Sequence, residues 1–325
     1  MKVLVTGGAG FIGGHLVHEL MQNNFDVLGL DNFSPYYNLG MKSKKLHDFQ
    51  ISHLIKKIDI ANEDEVKSLF TAFKPTHVIH LAAQGGVRAS KSDPMPYLLS
   101  NQIGFLNILT ACEDNKVQKF IYASSSSVYG DTSIAPFEES QELSAPKSLY
   151  ALSKLSNEIV ARYLPSSNTQ RIGLRFFTVY GPWGRPDMAV FRLLASSLLN
   201  EPFYLTANRD VERDFTYVSD VSRLIQQLLD DSHSVTKPTL LNLAGGKPYT
   251  LSNLFDILEN LEIKLDICDA AIDPLDVKMT NASTKTIKSL GLTVPDTSLL
   301  DGLQSTWDWM KKQNIDDVRN WLGKS

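Results

Sequence analysis

The stretch Lys2-Val3-Leu4-Val5-Thr6-Gly7-Gly8-Ala9-Gly10-Phe11-Ile12-Gly13 decides how this chain folds. An apolar run the length of one strand leads into a turn of glycines, and a helical pattern over residues 13–23 begins where the turn ends. Gly7 permits the tight turn, Gly10 lets the main chain approach a bound pyrophosphate, and Gly13 lets the helix pack closely on the strand. The first helical N–H groups have no partner within the helix and suit an anion. Asp31 closes the next strand, 18 residues beyond Gly13. A carboxylate there accepts hydrogen bonds from adenosine ribose hydroxyls and repels a 2′-phosphate, so the unit reads as a dinucleotide site that takes NAD rather than NADP. After the third strand, Asp59-Ile60 suits contact with the adenine, and Asp59 equally suits the N-cap of a helix starting near Glu63.

Outward from this unit the pattern repeats. Strand-like runs at residues 26–30, 53–57, 77–81, 120–124 and 172–177 alternate with helical periodicity at 63–73, 94–115 and 148–164. That alternation predicts βαβ units and a parallel sheet with right-handed crossovers. Several runs are apolar at every position, as strands covered on both faces require. The expected architecture is α/β: a Rossmann-type doubly wound parallel sheet over residues 1–178, binding the dinucleotide. The rhythm breaks at the turn-rich Gly181-Pro182-Trp183-Gly184-Arg185-Pro186. Residues 179–325 predict a smaller mixed α/β substrate-binding domain, with helices near 189–200, 219–231, 252–261 and 299–312 and strands near 215–218 and 240–244. A segment near 214–240 is expected to return to the first domain.

Composition excludes several function classes. The 325 residues are 43% hydrophobic and 21% charged, enough to bury a core and too apolar for a disordered chain. Lys and Arg total 32 against 36 Asp and Glu, a net charge of −4, which argues against a general nucleic-acid or membrane-surface binder. No apolar run approaches the ~18 residues of a membrane helix, and only a strand's worth of apolar residues follows Met1-Lys2, unlike a signal peptide. A cytoplasmic protein that begins at its first strand is expected. Cys112 and Cys268 lie far apart, read as buried inert thiols, and no metal site is expected.

The chemistry is expected where strands end. Tyr150 and Lys154 are four residues apart in a helical stretch, so both side chains share one face, one turn apart. A lysine ammonium beside a phenol lowers the phenol pKa from about 10 and makes a usable base. Ser124-Ser125-Ser126-Ser127-Val128-Tyr129-Gly130 closes an apolar strand, and in open α/β sheets active groups lie beyond the carboxyl ends of strands. A hydroxyl there can bridge a substrate OH and the tyrosine.

Together, Gly7–Gly13, His80-Leu81-Ala82-Ala83, Ser124–Gly130 and the Tyr150/Lys154 pair resemble, in order and spacing, the extended short-chain dehydrogenase/reductase family of nucleotide-sugar epimerases and dehydratases. The resemblance covers essentially the whole chain. It implies that Tyr150 is the base, that Lys154 orients the nicotinamide ribose, and that Ser125, four before Tyr129, is the catalytic hydroxyl, with Ser126 the alternative. It places Phe11, Ile12, Asn32, Leu81, Ala82 and Ala83 against NAD, and Asn101 of Ser100-Asn101-Gln102-Ile103-Gly104 on the cofactor side. The 4,6-dehydratases carry an Asp-Glu pair after the catalytic hydroxyl; Ser126 and Ser127 stand here, so elimination of water is disfavoured.

The run from Arg175 to Ala189 and Asp31-Asn32-Phe33 with Tyr36-Tyr37 are similar to the UDP-glucuronate 4-epimerases of that family. That similarity implies a transient 4-keto sugar whose hydride returns to the opposite face, with Thr178 and Arg185 holding the sugar carboxylate. A guanidinium fork suits a planar carboxylate, although Arg185 can also pair with Asp187. Arg88 is a second positive group near the sheet edge. Arg213, in Arg213-Asp214-Phe215-Thr216-Tyr217-Val218, matches the arginine that reaches the diphosphate, and Asp276-Val277 resembles a late segment near the uridine ribose, with Leu275 in place of a glycine. The alternatives are a 4-epimerase of neutral or N-acetylated UDP-sugars, a UDP-glucuronate decarboxylase, and a catalytically silent NAD-binding regulator. Relatives usually dimerise through a four-helix bundle, here residues 94–115 and 148–164 of each copy.

Overall fold

The computed structural model describes residues 1–130, 134–143, 145–166, 169–230, 239–272 and 277–323. Its strands are β1 (Lys2–Thr6), β2 (Asp26–Asp31), β3 (Ile55–Lys57), β4 (His77–His80), β5 (Lys119–Ser125), β6 (Gln170–Phe176), β7 (Thr178–Tyr180), β8 (Phe203–Leu205), β9 (Glu212–Tyr217), β10 (Thr239–Leu243), β11 (Pro248–Thr250) and β12 (Ile267–Asp269). Its helices are α1 (Phe11–Gln22), α2 (Leu39–Asp48), α3 (Glu63–Phe73), α4 (Ala89–Ser92), α5 (Phe105–Asp114), α6 (Leu149–Tyr163), α7 (Ala189–Leu199), α8 (Val218–Gln227), α9 (Leu251–Asn260), α10 (Lys285–Ser289), α11 (Leu299–Lys311) and α12 (Ile315–Trp321).

Seven strands form one sheet in the order β10-β6-β5-β4-β1-β2-β3, parallel at every pairing. Strand order reverses at β1, so the sheet is doubly wound. Side chains alternate between faces with period two. Val3, Val5, Ile79, Ile121, Ile172 and Leu174 pack under α1 and α8 on one face, whereas Leu4, Val78, Phe120 and Tyr122 meet α3, α5 and Ala161 of α6 on the other. The chain returns to this sheet late: β10 pairs with β6 from Thr239↔Ile172 to Leu243↔Phe176.

Beyond β6 the chain builds smaller pieces. A three-stranded sheet runs β11-β9-β7 and a two-stranded one β12-β8. A second core gathers Trp183, Leu194, Leu254, Leu303 and Trp321. The sequence reading missed β8, β11 and β12, three residues each, too short to show a period. It also missed α2 and α12, although Asn38 and Asn314 cap them by accepting from the N–H groups of Met41 and of Asp316 and Asp317. The helix expected over 94–115 starts as a π-type stretch, Tyr97–Gly104, before α5. Cys112 is buried, whereas Cys268 is partly exposed because it sits on the short sheet.

Helix α6 is fastened to the large sheet by charge. Arg171 of β6 donates through Nη1 to the carbonyls of Ala161 (2.8 Å) and Leu164 (2.7 Å) and through Nη2 to Pro165 (2.9 Å), so it occupies carbonyls at the end of α6 that lack helical partners. It also reaches Glu113 of α5 at 2.7 Å. Removing the cation takes a charged partner from the largely buried Glu113 carboxylate and a donor from several carbonyls. Arg171→Met is therefore expected to lower the unfolding free energy by about 3 kcal/mol in urea denaturation; an unchanged midpoint contradicts this anchoring.

Candidate active site

A cleft of about 610 Å³ follows the carboxyl ends of the sheet strands, from the glycine turn after β1 to Phe176 at the end of β6. Gly7 has φ +71°, a left-handed conformation that favours glycine, and a Cβ there would stand 2.9 Å from the Ala82 nitrogen. A Cβ on Gly13 would run into the Gly7 carbonyl, so strand, turn and helix approach as closely as the motif requires. Gly10, Phe11, Ile12, Asn32, Asp59, Ile60, Leu81, Ala82 and Ala83 all line the cleft. The Asp31 carboxylate accepts from the N–H groups of Ala9 (3.2 Å) and Phe33 (2.8 Å) and pairs with Lys42 at 3.4 Å. Asp59 is not the N-cap of α3; Asn62 takes that place, while Asp59 accepts from Ala61 N–H and Asn32 Nδ2. This cradle, closed by glycines and edged by Asp31, fits NAD.

Asn101 differs from expectation. It is buried, accepts from Gln84 N–H at 2.7 Å and donates to the Gln84 carbonyl (3.1 Å) and Ser153 Oγ (3.0 Å), and it does not line the cleft. The π-type turns carry it inward, where it orders the strip that follows Ala83.

Tyr150 and Lys154 face the same cleft from α6, and Ser125 faces it from the end of β5. Ser148 caps α6 by accepting from Ala151 N–H at 3.1 Å, which sets where the Tyr150 turn begins. Burial raises the Tyr150 pKa; a hydrogen bond with Ser125 and the Arg185 charge oppose it. Lys154 is engaged by the main chain. Its ammonium donates to the Ala123 carbonyl at 2.9 Å, and burial lowers its own pKa to about 8. Ser125 Oγ donates to Ser127 Oγ at 3.1 Å and accepts from Ser127 N–H at 3.2 Å, and Ser126 lines the cleft beside it.

Thr178 and Arg185 complete this end. Arg185 Nε and Nη2 donate to the two Asp187 oxygens at 3.0 and 2.8 Å, and Tyr36 OH donates to Asp187 at 3.0 Å. The pairing with Asp187 and the place in the cleft therefore coexist. The guanidinium holds Asp187 below the usual carboxylate range.

A second cavity of about 210 Å³ adjoins the first through Val87, Ser126, Ser127 and Thr178, which line both. Arg88, Lys147 and Arg213 bring three basic side chains to it, a setting suited to a diphosphate. Arg88 thus belongs to this cavity rather than to the Tyr150 cleft, and Arg213, which donates to the Glu212 carbonyl at 2.8 Å, lines it too. Asp276 lies outside the described residues. Sequence reasoning missed Lys42 and Lys147 as site residues; only the Asn38 cap, which announces α2, pointed toward Lys42.

Comparison with known proteins agrees with this geometry. A model of the NAD dependent epimerase/dehydratase family matches residues 3–244. The UDP-glucuronate 4-epimerase of Thermodesulfobacterium geofontis is 35% identical over 325 residues, spanning 98% of each chain. A crystal structure of UDP-glucuronic acid 4-epimerase from Bacillus cereus, in complex with UDP-glucuronic acid and NAD, superposes with a TM-score of 0.88 at 33% identity, covering 96% of this chain and 99% of the other. The NAD complex of Thermus thermophilus UDP-glucose 4-epimerase reaches 0.84 at 29% identity, covering 97% of this chain and 100% of the other. With sheet order, glycine turn, Ser125, Tyr150 and Lys154 all in place, the chain belongs to the NAD dependent epimerase/dehydratase family.

Proposed function

We propose that the chain is an NAD-dependent UDP-sugar 4-epimerase whose substrate is UDP-glucuronate and whose product is UDP-galacturonate. The observation that carries this reading is Arg185: its guanidinium lines the same cleft as Tyr150 and acts electrostatically on it. Residues 1–178 with the returning β10 hold the cofactor in this reading, and residues 179–325 serve mainly the nucleotide sugar. Family membership and the 35% identical UDP-glucuronate 4-epimerase support it.

Bound NAD supplies a hydride acceptor at the sugar C4 and gives the hydride back. The protein manages everything else. Tyr150, as phenolate, takes the 4-hydroxyl proton directly or through Ser125 and later returns it. Lys154 holds the nicotinamide ribose, while Gly10, Phe11 and Ile12 meet the pyrophosphate and Asp31 the adenosine ribose. Arg88, Lys147, Arg213 and Asp276 hold the nucleotide end, so the flat 4-keto sugar turns about its diphosphate link before reduction from the other face. A 4-keto uronate is a β-keto acid and can lose CO₂; Thr178 and Arg185 keep the carboxylate hydrogen-bonded and turned from that path. Ser126 and Ser127 offer no carboxylate for eliminating water.

One observation favours a second reading. Asp187 already occupies two donors of Arg185, which leaves a less charged pocket suited to a neutral or N-acetylated UDP-sugar.

Among the described residues no helix is long and apolar enough to cross a membrane; we take the enzyme as cytoplasmic. We also take it as a homodimer built on a four-helix bundle. Leu98 and Ile103 on the π-type stretch and Leu106 on α5, with Leu152, Ile159 and Tyr163 on α6, are all exposed, and the two segments lie side by side. The double variant Leu106→Glu/Ile159→Glu is expected to elute as a monomer in light-scattering chromatography; a wild-type monomer overturns the assignment.

Incubation with UDP-glucuronate, with UDP-galacturonate and UDP-xylose resolved by chromatography, tests the activity. Wild type is expected to give UDP-galacturonate, and Tyr150→Phe to give no turnover while staying folded. Arg185→Ala is expected to lose about 10–100-fold in kcat/KM, the worth of a charge-assisted pair. Epimerisation of neutral UDP-sugars alone establishes the second reading instead.

Lys154 supplies a pH test. Burial holds it at about 8 against 10.5 in the unfolded chain, so between those values the unfolded chain binds more protons and stability rises with pH. The stability of wild type relative to Lys154→Met should therefore grow across that window by about 3 kcal/mol at most. Urea unfolding at either end of the window measures it, and a constant difference would contradict the buried ammonium.

A further inference from the structure

The glycine turn carries one glycine more than the phosphate motif uses. Gly14 follows Gly13 on α1, and the space left by its missing side chain is filled from α2. A Cβ on Gly14 would stand 2.7 Å from Lys45 Cε and 3.0 Å from Lys45 Nζ. Lys45 is 2% exposed, and its ammonium donates to the Ala9 carbonyl at 2.9 Å and also to the Gly10 carbonyl.

We propose that Lys45 is a positioning residue for the cofactor phosphates. From behind the turn it holds the carbonyls of Ala9 and Gly10, sets the Gly10 N–H to close the turn and the Phe11 N–H toward the cleft, and puts a positive charge beneath the diphosphate. The geometry follows from the planar trans peptide, in which C=O and N–H point opposite ways. Pulling the Ala9 carbonyl toward Lys45 turns the Gly10 N–H away from it, where that group closes the turn on the Gly7 carbonyl at 2.8 Å. Pulling the Gly10 carbonyl likewise turns the Phe11 N–H toward the cleft that Phe11 lines. As the first residue of α1, Phe11 has no partner for that N–H within the helix.

The charge itself depends on what binds. Burial draws Lys45 down to about 7, with Asp31 opposing and Lys42 reinforcing the shift. From α1, His15 faces the amine and is held neutral by burial, with His18 one turn further. A diphosphate over the turn therefore stabilises the protonated amine and draws a proton onto it.

The test compares ligands with and without phosphate. ADP-ribose and adenosine are titrated separately, by isothermal calorimetry, into the purified full-length wild type, Lys45→Met and Lys45→Arg. Lys45→Met is expected to bind ADP-ribose about tenfold more weakly and adenosine within about twofold of wild type, while Lys45→Arg stays near wild type for both. In Tris and HEPES at about pH 8, wild type is expected to take up more protons with ADP-ribose than either variant, since the side chain at position 45 titrates there only in wild type and Lys154 titrates alike in all three. Equal weakening toward both ligands by Lys45→Met, or proton uptake undiminished in the variants, overturns the proposal. If Lys45→Met does not fold, Lys45→Arg still decides through retained affinity with diminished proton uptake.

Discussion

Helix α6 carries Tyr150 and Lys154, and a buried ion pair sets where it lies. Arg175 of β6 donates to both oxygens of Glu158 at 2.9 and 2.8 Å, and Ser124 of β5 donates to the same carboxylate. Glu158 falls two helical turns after Tyr150 and one after Lys154, so the three share a face. One carboxylate thus ties the catalytic helix to two neighbouring strands and to the residue beside Ser125. The Arg175 guanidinium also lies 4.7 Å from the Tyr129 ring, whose hydroxyl donates to Asn242 of β10 at 2.6 Å. A slip of α6 by one turn would strand these charges in the interior, where an unpaired ion is costly. The register of the active site is therefore enforced by charge as much as by apolar packing.

The same economy appears in the cleft. The chain is acidic overall, yet cations are gathered at its cavities: Arg88, Lys147 and Arg213 in one, Arg185 in the other. Two further amines, Lys154 and Lys45, are held by burial near neutral values and donate to main-chain carbonyls. Such buried amines weaken the empty fold, since burial opposes their charge. The net charge of −4 consequently says little about the ligand.

Local rules carried much of this in the sequence. The glycine turn, Asp31 at the end of β2 and the i, i+4 pair on α6 stand where residue type and spacing put them, because strand, turn and helix geometry act over a few residues. Asn101 shows the limit of such reading. Its neighbours match a cofactor asparagine, yet it bonds Gln84 and Ser153, since the π-type turns that rotate it inward leave no mark in residue spacing. Lys154 shows another limit, because its lowered pKa depends on burial.

Fold class, cofactor type and the placing of Tyr150 and Lys154 on one helix face were thus legible in residue order, since each rests on contacts between near neighbours. The hold of Tyr36 on Asp187, the ion pair of Arg171 with Glu113, the gathering of Arg88 and Arg213 at one cavity and the amine of Lys45 under the glycine turn emerged only on folding. These contacts join segments far apart in the chain, and the burial that gives them strength exists only once the sheet and its helices have closed around them.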